Sequence, residues 1–401
     1  YPSRELLRAM DEQNYPLVET YGDVDERPRK LLSLVSREDY IDALQNDPRL
    51  SAPLPAPKEY WSDEQIEAAT RASDKHTWRN EDFYYAFGHN GALVGGVFDG
   101  LGGHPGSEEA SRVAAAASHN FVKKHITEWM RPEDSMLLLA ESLQLGNAAV
   151  ALVNQEFGYY SDMATTAALA SIHTHPDGSG RQYAAMAWIG DSRIYRIRDQ
   201  KVLYTSLDDA GVGYSGERRH SERAVQDFVE RTSDSDDDYE ERWADSQLED
   251  AFTYRNIVGA CLDGRKGRFV NIDTLDLEVG DTVALMTDGI HDNLTRNEIA
   301  NLASVRDLLA AALARSRDSN HPRAKPDDMT LVKLNAVGGM PEIIVPPFIL
   351  PNSIATGGLV QKNGAYEGNT FVCFTCGQRT PHWGSGSAGG CMYCGNALRD
   401  V

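Results

Sequence analysis

The sequence predicts an α+β protein in which antiparallel β-sheet is covered by α-helices, with a small metal-binding module near the C-terminal end. Short apolar runs follow one another through brief polar turns. Strands joined so closely must be antiparallel, because parallel pairs need long crossovers. The dipeptide Asn90-Gly91 between two apolar runs is a strong hairpin signal. Two Cys-x-x-Cys-Gly repeats indicate the metal-binding module.

Hydrophobic period and capping signals place the elements along the chain. Strands are predicted at residues 83–88, 92–98, 164–172, 183–189, 194–198, 201–204, 282–286 and 329–334. Helices are predicted at residues 38–45, 62–71, 107–126, 136–156 and 304–315. The helix at 62–71 rests on an apparent capping box, Ser62-Asp63-Glu64-Gln65. Ser107 and Ser304 are the expected N-caps of the helices that they begin.

The 401 residues carry a formal charge of −21. This argues against a nucleic-acid binder, whose affinity depends on cations facing phosphates, and suits divalent metals or basic partners. Part of the charge is an acidic run at residues 234–241, which predicts a solvated loop. No stretch of 18 or more apolar residues is present and the first ten residues do not resemble a signal peptide, so a cytoplasmic protein without membrane contact is expected.

Carboxylates recur at the ends of apolar runs. Asp99, Asp191 and Asp288 each adjoin a glycine, and the pair Asp327-Asp328 precedes an apolar strand. A buried carboxylate is unfavourable unless a cation meets it, and glycine lets main-chain carbonyls and a ligand approach closely. A lone Asp-Gly is only a turn signal. The repetition predicts one shared metal cluster.

Four of the five cysteines form two knuckles with fourteen residues between them: Cys373, Cys376, Cys391 and Cys394. Four thiolates close a tetrahedral Zn(II) site and leave no open position for chemistry, so the spacing predicts a structural zinc ribbon. Two disulfides are the structural alternative, and iron bound as in a rubredoxin is a further one.

Six motifs occur in a fixed order: Arg79-Asn80-Glu81-Asp82, Val97-Phe98-Asp99-Gly100-Leu101-Gly102-Gly103, Met163-Ala164-Thr165-Thr166-Ala167, Ile189-Gly190-Asp191-Ser192-Arg193, Met286-Thr287-Asp288-Gly289 and Asp327-Asp328-Met329-Thr330. Together they resemble the motifs of the metal-dependent protein phosphatases of the 2C type. The resemblance covers roughly residues 75 to 335 and is closest to bacterial members of that family.

The resemblance implies two stacked antiparallel sheets flanked by helices, with two Mg(II) or Mn(II) ions in a cleft at one end. It makes Asp99 the carboxylate that bridges the two metals, with the Gly100 carbonyl on one of them. Asp288 and Asp328 would hold the other metal. Three supporting roles follow: Glu81 acting through coordinated water, Asp82 supporting the shell, and Asp191 helping to bind a weaker third metal.

Two positions depart from the family pattern. Thr77 stands where the family has a phosphate-binding arginine, so Arg79, expected on the same face of a strand, is the predicted substitute. Leu101 stands where eukaryotic members carry a histidine that acts as leaving-group acid. His104 is near in sequence, but a loop histidine is more often incidental. No role is predicted for four other histidines: His173, His175, His291 and His321.

The predicted organisation has four parts. They are an N-terminal extension of unknown role at residues 1–70, a phosphatase 2C-like catalytic domain at 71–337, a Pro- and Gly-containing linker at 338–368, and the zinc ribbon at 369–401. Within the catalytic domain, the acidic insertion at 205–250 is expected to form a flap beside the cleft.

The sequence therefore predicts a phosphoserine/phosphothreonine protein phosphatase that uses a metal-activated water and no protein nucleophile. A phosphorylated protein, with basic residues near the phosphate, is the expected substrate, and the ribbon is expected to bind a protein partner. The competing hypothesis is a pseudophosphatase that keeps the fold and only holds partners; a small-molecule phosphatase is a third. Glu81, Asp99, Asp288 and Asp328 together oppose the pseudophosphatase, because a scaffold has no need for so much buried like charge.

Overall fold

The computed structural model describes residues 17–20, 29–33, 37–101, 106–127, 129–157, 162–209, 222–232, 246–255, 257–265 and 269–336, and four short strands between 361 and 381. The chain divides into two compact units, Tyr1–Gly338 and Gly339–Val401. The first unit contains two antiparallel sheets, which confirms the predicted fold class.

Seven of the described strands form the first sheet, in the order β1-β2-β11-β8-β7-β6-β5. Their bounds are β1 Leu17–Thr20, β2 Arg29–Ser33, β5 Asp82–His89, β6 Ala92–Asp99, β7 Ala167–Thr174, β8 Gln182–Ile189 and β11 Phe269–Leu277. Asn90 and Gly91 have φ values of 47° and 71°, the left-handed pair that a two-residue hairpin turn requires. The predicted β5–β6 hairpin is confirmed.

Six further strands form the second described sheet, in the order β10-β9-β12-β13-β4-β3. Their bounds are β3 Tyr60–Ser62, β4 Ile66–Arg71, β9 Arg193–Arg198, β10 Lys201–Thr205, β12 Thr282–Met286 and β13 Met329–Asn335. Strands β1 to β4 come from the part of the chain that the sequence predicted to be an N-terminal extension with short helices. The predicted boundary at residue 70 falls inside β4.

The predicted helix at 62–71 is wrong, because this segment is the β3–β4 hairpin. Asp63 Oδ1 accepts hydrogen bonds from the backbone N–H groups of Gln65 and Ile66, both at 2.8 Å. The side chain that resembled part of a capping box therefore closes a turn instead. Pairing of β4 with β13 then buries Ile66, Ala68 and Ala69, a stabilisation that local propensity does not contain.

Eight helices are described. They are α1 Arg37–Asn46, α2 Ser107–His125, α3 Pro132–Phe157, α4 Glu222–Arg231, α5 Ser246–Thr253, α6 Asp288–His291, α7 Arg296–Asn301 and α8 Val305–Ser316. The predicted N-cap of α8 is confirmed, since the Ser304 side chain accepts from Asp307 N. In α3, residues Pro132–Glu156 are long and apolar enough to cross a membrane, but 78% of the most apolar window is buried in the protein, as expected of a core helix.

Three apolar layers position the cleft. Val97, Ala168, Leu285 and Val332 belong to the core between the two sheets. Helices α2 and α3 cover the outer face of the first sheet, and α6 to α8 pack on the second. Helices α4 and α5 share a separate small apolar cluster, which begins within the region predicted as a flap and extends to Phe252.

The second unit contains four described strands, β14 Gln361–Lys362, β15 Ala365–Tyr366, β16 Thr370–Val372 and β17 Arg379–Pro381, paired as two small antiparallel hairpins. The four predicted zinc ligands and the predicted linker up to residue 360 lie outside the described residues. The first Cys-x-x-Cys pair falls in sequence between β16 and β17.

Candidate active site

Most of the predicted metal residues meet at one end of the sandwich. Asp82 begins β5, Asp99 ends β6, and the two are direct partners in the strand register. Facing residues of antiparallel strands place their side chains on the same side, so the two carboxylates share one surface. Asp82 and the preceding Glu81 are buried, whereas Asp99 is partly exposed.

The main chain after Asp99 is held in place by short contacts. A Cβ at Gly100 would lie 2.4 Å from the Ser107 carbonyl oxygen, so only glycine fits at this point. The carbonyl of Asp99 accepts hydrogen bonds from Thr165 Oγ1 and Thr166 N, both at 2.8 Å. The backbone is therefore fixed while the Asp99 carboxylate faces its acidic neighbours.

Glu81 is positioned by the start of α2. Ser107 was predicted to cap this helix, and that prediction is wrong: the N-cap is Gly106, at φ 85° with no side-chain cap. Ser107 Oγ instead donates to Glu81 Oε1 at 2.5 Å, and Arg79 Nη2 contacts the same oxygen at 2.7 Å. The predicted role of Glu81, through coordinated water, would use Oε2.

Asp288 begins α6 directly after β12. The next residue packs against the closing strand so tightly that a Cβ at Gly289 would lie 1.8 Å from the Asp328 carbonyl oxygen. Burial raises the pKa of Asp288, although the ammonium of Lys325, which forms an ion pair with the carboxylate, opposes the shift. Asp288 is therefore held between β12, β13 and a buried cation.

The Asp327-Asp328 pair divides its two side chains between different surroundings. Asp328 Oδ1 accepts from Ser73 N and Oδ2 accepts from Glu81 N, each at 2.6 Å. Its carboxylate thus ties two loops together. Asp327 instead interacts electrostatically with Asp82, Asp99 and Asp288 and lies 3.3 Å from the Lys325 ammonium.

Asp327 is an acidic residue of this cluster to which sequence reasoning gave no role. Both members of the doublet act on the cluster, since besides burial Asp328 and Asp327 each raise the pKa of Asp82 and the effect of Asp328 is the larger. The doublet itself was the available signal, but a doublet does not say which contacts each member makes. The predicted metal role of Asp328 stays a prediction; its two oxygens already accept main-chain hydrogen bonds.

Asp191 lies in the turn between β8 and β9, after Gly190 at φ 97°. Both carboxylate oxygens are buried and accept no hydrogen bond from any residue in the described part of the chain. The carbonyl of Asp191 accepts from His291 Nε2 at 3.0 Å. His291, for which no role was predicted, therefore joins the Asp191 turn to α6.

The electrostatics of this carboxylate cluster favour a bound cation. Burial raises the pKa values of Asp82, Asp99 and Asp191 well above the ordinary range for aspartate. Neighbouring carboxylates raise them further, with Asp288 acting on both Asp99 and Asp191. Several oxygen donors in one buried place suit a hard divalent ion, and the unpaired oxygens of Asp191 are consistent with one. The residues present therefore fit Mg²⁺ or Mn²⁺.

Arg79 lies at the rim of this cluster. The strand expected at residues 77–81 is wrong, because Arg79 N donates to the His76 carbonyl at 3.0 Å in a turn and β5 begins only at Asp82. The Arg79 guanidinium still reaches the site: it contacts Glu81, lies 3.9 Å from Glu108, and stacks on the Trp78 ring at 5.1 Å. His104 and the acidic run at 234–241 lie outside the described residues.

The fold is a β-sandwich, and the site at one end of it is a carboxylate-lined centre suited to divalent metal. Together they are typical of a metal-dependent hydrolase. The family model described as protein phosphatase 2C matches residues 72–325, more than half of the chain. The chain belongs to the protein phosphatase 2C family, and the predicted family is confirmed.

Two solved structures with TM-scores above 0.5 agree on the fold, and a third is similar at a lower score. Serine/threonine phosphatase Stp1 from Staphylococcus aureus is 19% identical, with a TM-score of 0.51 over 71% of this chain and 100% of that one. A bacterial serine phosphatase is 20% identical, with a TM-score of 0.51 over 69% and 99%. The phosphatase PstP/Ppp from Mycobacterium tuberculosis is 21% identical, with a TM-score of 0.47 over 68% and 98%. A comparison with curated protein sequences gives no match.

Proposed function

We propose that this chain is a metal-dependent protein phosphatase that hydrolyses phosphoserine and phosphothreonine monoesters. Membership of the protein phosphatase 2C family supports this activity. The observation that carries the proposal is the cluster of Asp82, Asp99, Asp191 and Asp288, whose pKa values are raised by burial and by neighbouring carboxylates. A protein that only held partners would be destabilised by this cluster and gain nothing, so the pseudophosphatase is not favoured.

The residues of the site would have different roles in the reaction. Asp99 and Asp288 would be the direct donors to two Mn²⁺ or Mg²⁺ ions, with Asp82 behind them and Asp191 beside them. When bound, the metal pair supplies a nucleophile from water at neutral pH and positive charge opposite the phosphate oxygens. Glu81, fixed by Ser107 and Arg79, would orient water at the edge of the site.

Arg79 would bind the phosphate. Its guanidinium is at the rim, already orientated by Glu81 and by the exposed Trp78 ring. A planar guanidinium matches two phosphate oxygens at once. We infer that it takes the part of the arginine that the family pattern places at Thr77.

Metal removal tests the activity directly. We expect the purified chain to hydrolyse an aryl phosphate only when Mn²⁺ or Mg²⁺ is present, because the buried carboxylates supply no electrophile of their own. Initial rates are measured after chelation and during a metal titration. Equal turnover with excess chelator, or no turnover although Mn²⁺ binds, would contradict the proposal.

The preferred substrate would carry basic residues near the phosphate. The net charge is −21, and Glu108 at the start of α2 lies 3.9 Å from Arg79. Such a field attracts cationic peptides most strongly at low salt. We expect phosphopeptides with lysine-rich flanks to have a several-fold higher kcat/KM than glutamate-rich ones, and the ratio to fall towards one as salt rises. Equal kcat/KM for the two kinds of phosphopeptide at low salt would show that the acidic surface does not select substrates.

The C-terminal unit would be a zinc ribbon that binds the partner or substrate protein. Its support is the paired Cys-x-x-Cys-Gly spacing, together with a β16–β17 hairpin on either side of the first pair in sequence. Zinc would stabilise this unit and take no part in phosphate chemistry. We expect truncation after residue 340 to remove one Zn²⁺ per chain and to leave aryl phosphate turnover nearly unchanged. Zinc content and the rate of aryl phosphate hydrolysis are measured on the same samples. Loss of turnover on truncation would indicate that the unit is part of the catalytic domain.

A further inference from the structure

A buried lysine lies beside the metal-binding carboxylates. The ammonium of Lys325 contacts Asp288 and lies 3.2 Å from Asp292 Oδ2 and 3.3 Å from Asp327 Oδ2, with only 16% of its side chain exposed. Lysine is seldom buried unless it is paired. Three carboxylates around one ammonium resemble the oxygen shell that a divalent ion would have.

Asp292 explains why a cation is needed here. It is fully buried, and its carboxylate oxygens accept no hydrogen bond among the described residues. The cations facing it are Lys325 at 3.2 Å and Arg255 Nε at 3.6 Å. The ring nitrogen Nδ1 of His291, whose pKa is lowered by burial, lies at 3.4 Å. Without Lys325, Asp292 would keep Arg255 as a nearby cation, but Asp288 would lose the ammonium that contacts it and would face the Asp292 carboxylate.

The main chain of Lys325 is hydrogen-bonded to Asn293, which lies just after α6. Asn293 Oδ1 accepts from Lys325 N at 2.9 Å, and Asn293 Nδ2 donates to the carbonyls of Lys325 and Gly289, both at 2.8 Å. Asn293 is itself fully buried. The ammonium is therefore fixed relative to Asp288 from both the side chain and the backbone.

We propose that Lys325 is a positioning residue of the metal centre: its ammonium takes the place of a further divalent cation between Asp288, Asp292 and Asp327. The inference rests on the proposed metal-dependent function. The ammonium engages Asp288 Oδ2, which leaves Oδ1 to serve the catalytic metals. The centre would thus carry one permanent cation that chelators cannot remove.

Metal stoichiometry tests this arrangement. We expect Lys325→Met to bind about one more Mn²⁺ per chain than the wild type, because three carboxylates lose their protein cation. Lys325→Arg, which keeps the charge, should bind the wild-type number. Lys333→Met is the matched control, since Lys333 is also buried but donates to the Ala303 carbonyl away from the cluster. Bound Mn²⁺ is counted from the loss of the free-ion spectrum in electron paramagnetic resonance.

Thermal unfolding without metal gives a second measurement. Lys325→Met should unfold at a lower temperature than the wild type and should be restored by Mn²⁺ more than the wild type is. Lys325→Gln, which keeps a donor for Asp288 but not the charge, replaces the Met variant if that chain does not fold. If Lys325→Met and Lys325→Gln both bind the same number of Mn²⁺ ions as an active wild type, the role of Lys325 is overturned and the proposed phosphatase function is not affected. A wild type that binds no Mn²⁺ would overturn the metal centre and the inference together.

Discussion

Asp99→Asn should lose about 10³-fold in kcat/KM for an aryl phosphate, which corresponds to ~4 kcal/mol of transition-state stabilisation. The substitution changes one oxygen to an amide nitrogen, so the side chain keeps its shape and loses its charge. The remaining carboxylates cannot replace it, because the backbone around Asp99 is fixed by Thr165 and Thr166. The rate is measured over a wide Mn²⁺ range, so that weakened metal binding is separated from a lower kcat.

The same variant should remain folded, and this separates a chemical role from a structural one. Burial and the nearby carboxylates hold the pKa of Asp99 well above its ordinary value, so its ionised form is unfavourable in the metal-free protein. A neutral asparagine removes that repulsion, and metal-free Asp99→Asn should unfold at the wild-type temperature or above it. Asp276→Asn, at an exposed position, is the control for activity. Turnover within tenfold of wild type in Asp99→Asn would contradict the two-metal site.

The elements that the sequence predicted correctly carry strong local signals. The β5–β6 hairpin needed only Asn90-Gly91, and the long helices α2 and α3 needed only their apolar period. Strands β1, β2 and β11 were missed. They form one edge of the first sheet, where β1 pairs with the nearby β2, and β2 pairs with β11 across more than 230 residues of sequence. Local pattern contains no information on such partners.

The candidate site shows the same limit. Motif order identified Asp82, Asp99, Asp191 and Asp288, whose pKa values depend on one another's burial and charge. Lys325 could not be found in this way, since it lies 37 residues from Asp288 in sequence and is no part of a motif. Ser107 was wrongly predicted to cap α2. Its actual contact with Glu81 depends on the packing of α2 against β5, which the sequence does not show.

Arg193 connects the Asp191 turn to the region predicted as a flap. It is fully buried, and its guanidinium contacts Asp208 through two nitrogens, Nε at 2.9 Å and Nη2 at 2.7 Å. Its third nitrogen lies 3.8 Å from Glu230 of α4, which also contacts Arg296 at 2.6 Å. Burial would raise the pKa of Glu230, but Arg193 and Arg296 lower it overall, so the carboxylate remains charged.

Arg193→Met should therefore lower the free energy of unfolding by about 3–5 kcal/mol, because Asp208 is left as a buried carboxylate without its cation. Urea unfolding measures the change. The double variant Arg193→Met/Asp208→Leu should recover a large part of it, since it also removes the unpaired charge. Arg181→Met is the control: Arg181 pairs with Asp177 on the surface, and its loss should have no measurable effect. If Arg193→Met unfolds at the same urea concentration as the wild type, the ion pairs of Arg193 do not stabilise this domain. The attachment of α4 to the domain would then depend on apolar contacts alone.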